Sequence, residues 1–176
     1  MTLNAKERRD MILKDLQASQ VPITANQFAS KYEVSRQIIV GDIAILRATH
    51  HDILATNQGY LLNLPVPEHQ TARYSGKIVC QHQPDQAEEE LLLIVNHGGR
   101  VEDVQIDHPI YGNLKASLRI ASQDDVDQFI SSMQEFQGEM LSSLTNGIHI
   151  HTITTPDLKT FNRIEEGLSQ AGILFR

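Results

Sequence analysis

The stretch Gly147-Ile148-His149-Ile150-His151-Thr152-Ile153 alternates isoleucine with histidine, the pattern of a half-buried β-strand. Successive side chains of a β-strand point to opposite faces, so a strand here projects His149 and His151 to the same side. The β-branched residues predicted for the other face are Ile148, Ile150 and, beyond Thr152, Ile153. Two polar residues on a solvated strand face give the same pattern, so the histidine pair alone does not establish a metal site.

The length and composition of the chain predict packed cores. Its 176 residues, of which 40% are hydrophobic, suffice for one medium domain or two small ones. The N-terminal residues lack the apolar core of a signal peptide, and no apolar run approaches the roughly 18 residues that a membrane helix needs. We therefore expect a soluble, cytoplasmic protein with no membrane partner.

The single cysteine, Cys80, has no partner within the chain. This excludes an intrachain disulfide framework and a zinc site built from several cysteines. The local pattern favours a small buried residue in a strand.

Charge is distributed unevenly along the chain. Residues 1–66 contain 7 Lys and Arg against 6 Asp and Glu, a net of +1, whereas residues 67–176 contain 8 against 16, a net of −8. A phosphate backbone repels an acidic domain, so contact with nucleic acid is expected only from the N-terminal part. That part is not strongly basic, so charge alone is weak evidence for DNA binding.

Two short helices are predicted at the N-terminus. The first covers residues 5–20. Thr24 and Gln27 then match the capping box, in which two side chains satisfy each other's backbone donors, so a second helix runs to about Tyr32.

A third helix over residues 36–47 has two different faces, and Ser35 suits its N-cap. The apolar face carries Ile39, Ile43 and Leu46. At about 100° per residue, the opposite face carries Arg36, Gln37, Val40, Gly41, Ala44 and Arg47. Gly41 inside a helix costs about 1 kcal/mol relative to Ala, and close approach of another surface is one reason to accept that cost. The alternative is that the glycine is merely tolerated.

A β-hairpin over residues 52–62 follows these helices, and three helices with a hairpin make a winged helix-turn-helix. The motifs Val34-Ser35-Arg36-Gln37, Asp42-Ile43 and Leu46-Arg47 closely resemble the DNA-binding module of biotin-repressor-type regulators. The resemblance implies that Ser35, Arg36 and Gln37 contact base edges in the major groove. The predicted DNA-binding residues are Ser35, Arg36, Gln37, Val40, Gly41 and Arg47. Where such modules usually have a glycine after the third helix, this chain has His50-His51.

A linker, Leu64-Pro65-Val66-Pro67-Glu68, separates two predicted domains, because its two prolines disfavour both a helix and a central strand. The domains are residues 1–66 and 70–176. The second domain is predicted to have strands at 74–82, 101–106, 114–121 and 147–154, and helices at 84–96, 124–141 and 157–171. This order, βαββαβ, is that of the ferredoxin-like arrangement, so the fold class is α+β.

A third histidine is expected beside the pair. The first and fourth strands of such a domain are usually antiparallel neighbours, which brings His82, at the end of the first, to His149 and His151. In the helix that follows, Glu88 and Glu90 flank the apolar stripe, and spacing alone does not choose between them.

A second resemblance is more specific. It rests on His82, Glu90-Leu91, Ile94-Val95-x-x-Gly98-Gly99, Asp103-Val104, His108-Pro109-x-Tyr111-Gly112 and Leu144-Thr145-x-Gly147-x-His149-x-His151, which look like the three-histidine (3H) domain. Together with the N-terminal module, it covers nearly the whole chain and resembles the niacin-responsive transcriptional repressors. The resemblance implies that His82, Glu90, His149 and His151 bind one divalent transition metal ion.

Three neutral imidazoles and a carboxylate suit zinc, nickel, cobalt or iron, and the Irving–Williams order favours nickel or zinc. Because the imidazoles must be neutral to coordinate, metal affinity is expected to fall as pH drops through about 6.5 or somewhat below. The resemblance also implies nicotinate as an anionic effector near the metal. His108 and Tyr111 are candidates to line its pocket; alternatively, their segment is a turn held by its own hydrogen bonds.

We therefore expect a repressor that is not an enzyme and that binds a palindromic operator in double-stranded DNA as a homodimer. The alternative is a metal-dependent hydrolase that acts on a pyridine derivative and carries a DNA-binding domain, since a His/Glu metal site also activates water.

Overall fold

The structure, a computed structural model, describes residues 3–63, 73–135 and 139–176. The chain divides into two compact units, Met1–Pro67 and Glu68–Arg176. The predicted linker at residues 64–68 lies outside the described residues. In the described part of the chain, no helix is long and apolar enough to cross a membrane.

The first unit is a winged helix-turn-helix. Its elements are α1 (Ala5–Ala18), α2 (Ala25–Tyr32), α3 (Arg36–Ala48), β1 (Ile53–Thr56) and β2 (Gly59–Leu62). The predicted caps are confirmed: Thr24 and Gln27 form the capping box of α2, and the Ser35 side chain accepts from the Ile38 N–H at the start of α3. Helix α1 ends earlier than predicted, because Ser19 has an extended backbone and caps it.

The helices of this unit pack on an apolar core in which Phe28, Ile12 and Ile39 are fully buried. A buried ion pair also joins the first and third helices. Arg8 Nε lies 2.6 Å from Asp42 Oδ2, and Arg9 Nη1 lies 3.3 Å from Asp42 Oδ1. Asp42 is buried, and each of its carboxylate oxygens has one of these guanidinium groups as a partner. This pairing fixes the orientation of α3 and leaves its other face free of contacts to α1.

The entry to the hairpin, where the chain has His50-His51 instead of the usual glycine, depends on His50. Its φ of 69° lies in the left-handed region where glycine is the usual residue. The histidine therefore adopts the backbone conformation that glycine usually supplies at such a position. Strands β1 and β2 then pair antiparallel, from Ile53 with Leu62 to Thr56 with Gly59.

The second unit has the predicted succession βαββαβ with a final helix. Its elements are β3 (Tyr74–Gln81), α4 (Ala87–Asn96), β4 (Arg100–His108), β5 (Gly112–Ile120), α5 (Gln123–Glu135), β6 (Ile148–Thr155) and α6 (Leu158–Gln170). A 3-10 turn, Pro84–Gln86, precedes α4, and another, Leu141–Thr145, precedes β6. The α+β class is confirmed.

One predicted helix is too long. The span 124–141 is helical only to Glu135 in the described residues, and residues 136–138 lie outside them. Met140 has an extended backbone (φ −71°, ψ 143°), so Leu141 starts a separate 3-10 turn and is not the end of the helix.

The four strands of this unit lie in the order β5-β4-β6-β3, and each neighbouring pair is antiparallel. The predicted pairing of the first and fourth strands is confirmed, with Cys80 opposite His149 and Gln81 opposite Ile148. The internal places are taken by β4 and β6, whereas the first strand is internal in a ferredoxin-like sheet. Here β3 is bordered on its other side by a bridge between Cys80 and Leu174.

The two faces of β6 differ from the prediction at one residue. His149, His151, Ile153 and Thr155 are all buried, and the residues between them are half-buried. Ile153 therefore shares the face of the histidines and does not lie opposite them, because the alternation of a strand runs unbroken through Thr152. The histidines thus face the core, where Ile153, Ile94 and Ile164 are fully buried.

Candidate metal centre and nucleic-acid interface

Three histidines converge on one carboxylate in the second unit. His82 Nε2 lies 2.7 Å from Glu90 Oε2, His149 Nε2 lies 3.2 Å from it, and His151 Nε2 lies 3.5 Å from it. All four side chains are buried. Two of the histidines come from β6, His82 follows β3, and Glu90 belongs to α4, so the packing of α4 on the sheet assembles the cluster.

The structure distinguishes the two glutamates that spacing left open. Glu90 is 2% exposed and contacts the histidines, whereas Glu88 is exposed to solvent. A helix rotates by about 100° per residue, so the side chains of Glu88 and Glu90, two residues apart, point to different faces. Only Glu90 is brought to the histidines.

The hydrogen bonds of the imidazoles determine which nitrogen faces the carboxylate. The Nδ1 atoms of His82, His149 and His151 lie 2.7, 2.8 and 2.7 Å from the backbone oxygens of Gln83, Gly147 and Asp103. A carbonyl oxygen only accepts, so each Nδ1 carries its proton and donates it. In the neutral imidazole, each Nε2 then has a free lone pair directed at the centre of the cluster. Such backbone bonds are typical of metal-binding histidines.

The electrostatics of the cluster favour positive charge beside Glu90. Burial raises the pKa of Glu90, but His151, His149 and His82 outweigh it, and the pKa lies well below its usual value. Burial lowers the pKa of His82 and of His151, but Glu90 outweighs it, and both pKa values are raised. Without a metal, protons therefore occupy these sites to a higher pH than for an ordinary histidine. Since a metal ion held by these imidazoles competes with those protons, we expect its affinity to begin to fall above the pH of about 6.5 that unperturbed histidine would give.

Gly147 allows the chain to pass close to His82. Its φ is +87°, and a Cβ added there would lie 2.3 Å from the His82 carbonyl oxygen. The Gly147 carbonyl accepts from the His82 N–H at 3.4 Å as well as from His149 Nδ1. A glycine is therefore required here for both histidines to take their positions.

Cys80 belongs to the same cluster, which the sequence did not indicate. One ligand atom each from Cys80, Glu90 and His149 lie within 4.8 Å of one another. Burial, followed by the charge of Glu90, raises the pKa of the Cys80 thiol. The residue is buried in a strand, as predicted, but its sulfur also lies close to two of the predicted metal ligands, Glu90 and His149. Cys80 lies two residues before His82, so the alternation of a strand puts both side chains on the same face. Together with the expected pairing of the first and fourth strands, this spacing could have placed Cys80 in the cluster.

A small cavity adjoins the cluster. It has a volume of about 200 Å³ and is lined by His82, Gln83, Pro84, Ser142, Ser143, Asn146 and Gly147. Neither His108 nor Tyr111, the predicted effector contacts, is among these residues. His108 Nδ1 instead accepts from the N–H groups of Ile110 and Tyr111, at 3.2 and 3.3 Å, and Tyr111 is 72% exposed. The bonds are those of a turn held by its own hydrogen bonds.

The predicted DNA-binding face of α3 is exposed along its length. The exposed residues include all those predicted, namely Ser35, Arg36, Gln37, Val40, Gly41 and Arg47, together with Ala44. Ile39, Ile43 and Leu46 on the other face are buried. A Cβ at Gly41 would meet no atom within 4 Å, so packing inside the protein does not require the glycine. The face is available to an external partner.

The fold of the first unit and the buried cluster of the second define a class of protein. It is a DNA-binding regulator with a winged helix-turn-helix and an attached domain that carries three histidines.

Comparison with known proteins agrees with this class. The 3H domain family matches residues 75–176, and a helix-turn-helix domain family matches residues 8–61. The chain is 40% identical to the transcription repressor NadR of Bacillus subtilis over 177 aligned residues, which cover 100% of this chain and 97% of that protein. It is 37% identical to the probable transcription repressor NiaR of Thermotoga maritima, over 96% of this chain and 94% of that protein.

This chain therefore belongs to the NadR/NiaR family of transcription repressors. Both relatives are named as repressors, which agrees with a regulator and not with the metal-dependent hydrolase considered above.

Proposed function

We propose that this protein represses genes of niacin and NAD biosynthesis or uptake in response to nicotinate. It acts in the cytoplasm as a homodimer bound to a palindromic operator. The observation that carries the proposal is the convergence of His82, His149 and His151 on Glu90 next to a small polar cavity. The same chain carries a DNA-binding module whose third helix exposes an entire face.

The four residues His82, Glu90, His149 and His151 would hold one divalent transition metal ion, of which nickel or zinc matches the donors best. The donor set fits such an ion, because each Nδ1 is occupied by a backbone carbonyl and each Nε2 is directed inward. When bound, the ion supplies a Lewis-acidic position for an anionic ligand.

The effector is proposed to occupy the cavity beside His82. A volume of about 200 Å³ suits a small planar molecule such as nicotinate. Ser142, Ser143 and Asn146 line the cavity, and their side chains provide hydroxyl and amide donors for a carboxylate. That His108 and Tyr111 also contact the effector stays a prediction.

The DNA-binding face would contact one half-site per protomer. Arg36 and Gln37 lie exposed in the first turn of α3, the part of a recognition helix that meets base edges. Two copies related by a two-fold axis match a palindromic operator. Such a dimer can hold its two DNA-binding units in an arrangement that fits the operator or in one that does not. Nicotinate changes repression only if it binds one of these arrangements more tightly than the other.

Apolar side chains available for dimerisation on the second unit include Ile110, Leu158 and Phe175, which are exposed. In the first unit, Ile38 and Ile45 of α3 are exposed as well. We place the main dimer contacts in residues 70–176, on the exposed apolar side chains of that unit.

Isothermal titration of nicotinate into metal-loaded and metal-stripped protein tests this function. We expect binding to the loaded protein and a loss of at least about ten-fold in affinity, or 1.4 kcal/mol, for the stripped protein. Nicotinamide, which has the same ring without the charge, is the matched control and should bind more weakly. Equal nicotinate binding with and without metal would separate the effector from the metal centre and contradict the proposal.

A further inference from the structure

Cys80 occupies a place among the metal-ligating groups that the four-residue site does not use. It lies on β3 directly opposite His149 on β6, and the two side chains share the buried face of the sheet. Its exposed fraction is 0%. The ligand atoms of Cys80, Glu90 and His149 all lie within 4.8 Å of one another. Two ligands of one ion are separated by less than about 4 Å when Zn–S is about 2.3 Å and Zn–N about 2.0 Å, so a small side-chain adjustment brings the sulfur to the ion.

Charge balance gives Cys80 a reason to ligate. His82, His149 and His151 are neutral when they bind a metal, so Glu90 is the only anion among the four ligands. A divalent ion would then leave one uncompensated positive charge where His82, Glu90, His149 and His151 are all at most 6% exposed. An unpaired buried charge is costly. A thiolate at Cys80 would make the centre neutral.

We propose that the Cys80 sulfur is a fifth ligand of the metal ion in the effector-free protein. This inference rests on the proposed function, because it requires the metal centre at His82, Glu90, His149 and His151. On metal binding, the sulfur forms a bond to the ion and releases the thiol proton to solvent. A soft thiolate shifts the preference of the centre toward zinc, nickel and cobalt and away from magnesium and manganese.

Cobalt(II) added to the metal-stripped full-length protein, without nicotinate, tests this inference. Visible d–d bands report that cobalt occupies a protein site, and a near-ultraviolet sulfur-to-cobalt charge-transfer band reports a thiolate ligand. The chain contains one cysteine, so a thiolate band has a single possible source. The variant Cys80→Ser keeps the size of the side chain and removes the sulfur. Ile78→Val is the packing control, because Ile78 lies on the same strand, is also buried and pairs with His151.

We expect both sets of bands at one equivalent of cobalt in the wild-type protein and in Ile78→Val. Cys80→Ser should keep the visible bands and lose the near-ultraviolet band. Visible bands without a near-ultraviolet band in the wild-type protein would overturn the inference and leave the proposed function standing. Absence of visible bands in the wild-type protein would instead overturn the metal centre itself. If circular dichroism shows that Cys80→Ser does not fold, the wild-type spectrum decides alone.

Discussion

The two units of this protein place their candidate functional residues in opposite environments. In the winged helix-turn-helix, Arg36, Gln37 and Arg47 lie exposed on one helix. In the 3H domain, the three histidines and Glu90 are buried and come from three separate segments. A surface that contacts DNA needs exposure and depends on one element only. A buried polar cluster needs every partner in place, because an unmatched buried charge destabilises the domain that contains it.

The largest expected effect tests the buried side of this comparison. The double substitution His149→Ala/His151→Ala removes two of the four proposed ligands, so stoichiometric metal binding and the response to nicotinate should be lost. Non-specific DNA binding by the first unit should persist. Metal analysis and gel-shift assays measure both. His97→Ala is the control, because His97 is exposed and its Nδ1 is bonded to the Leu93 carbonyl. Metal retained at one equivalent in the double variant would place the centre elsewhere.

A matched pair of glutamates sharpens the same test. Among the residues that the structure describes, Glu90 has the only carboxylate hydrogen-bonded to the histidines, so Glu90→Gln should lower metal affinity by at least about ten-fold, or 1.4 kcal/mol. Glu88→Gln changes the same side chain two residues away on the exposed face and should have no effect on metal. Competition with a chromophoric chelator measures both affinities. A larger loss in Glu88→Gln would reject the geometry of the cluster.

Alanine substitutions at two glycines with positive φ separate the cost of backbone strain from the cost of steric overlap. Gly112→Ala meets no atom within 4 Å at a φ of +71°, so it should lower the free energy of unfolding by about 1 to 2 kcal/mol. Gly147→Ala adds overlap with the His82 carbonyl at 2.3 Å and should lower it further, by about 3 kcal/mol or more, and weaken metal binding. Urea denaturation provides the comparison. Equal losses would mean that the approach to His82 relaxes at little cost.

The exposed side of the comparison predicts a smaller and more local effect. Arg36→Ala and Gln37→Ala should each weaken specific operator binding by about 1 to 3 kcal/mol and leave folding and metal content unchanged. Lys14→Ala is the control for Arg36, because it removes one exposed positive charge from α1. Quantitative gel shifts on operator and unrelated DNA measure the difference. Unchanged operator affinity in both α3 variants would show that this helix does not contact the bases.

The dependence of stability on pH gives the smallest expected effect. The pKa of Glu90 is lowered in the folded state, so its contribution is present above the unfolded value of about 4.3 and is lost as pH falls. The pKa values of His82 and His151 are raised, so their contribution is present below about 6.5 and is lost as pH rises through the folded values. The metal-free protein should therefore be more stable near pH 5.5 than near pH 8.5. Metal should reverse this order, since it binds neutral imidazoles. Urea midpoints at both pH values, with and without metal, give the answer.

Much of the fold followed from local patterns. The capping residues Thr24 and Ser35, the two faces of α3 and the succession of strands and helices in the 3H domain all depend on residues within a few positions of one another. The end of α5 was predicted too late. The extended backbone at Met140, which starts a separate turn, has no clear signal in the composition of this stretch.

The sequence by itself determined that His149 and His151 leave one strand on the same side, because the period of a β-strand is a local property of the backbone. It also brought His82 to that pair through the expected pairing of the first and fourth strands. Spacing did not choose between Glu88 and Glu90, and the resemblance to the 3H domain named Glu90. Only the tertiary structure brought Glu90 into contact with the histidines, turned the histidine face toward the core and placed Cys80 beside His149. These outcomes depend on how α4 packs on the sheet and on the register between β3 and β6. Residues 59 positions apart in sequence, such as Glu90 and His149, meet only through that packing, which no local periodicity encodes.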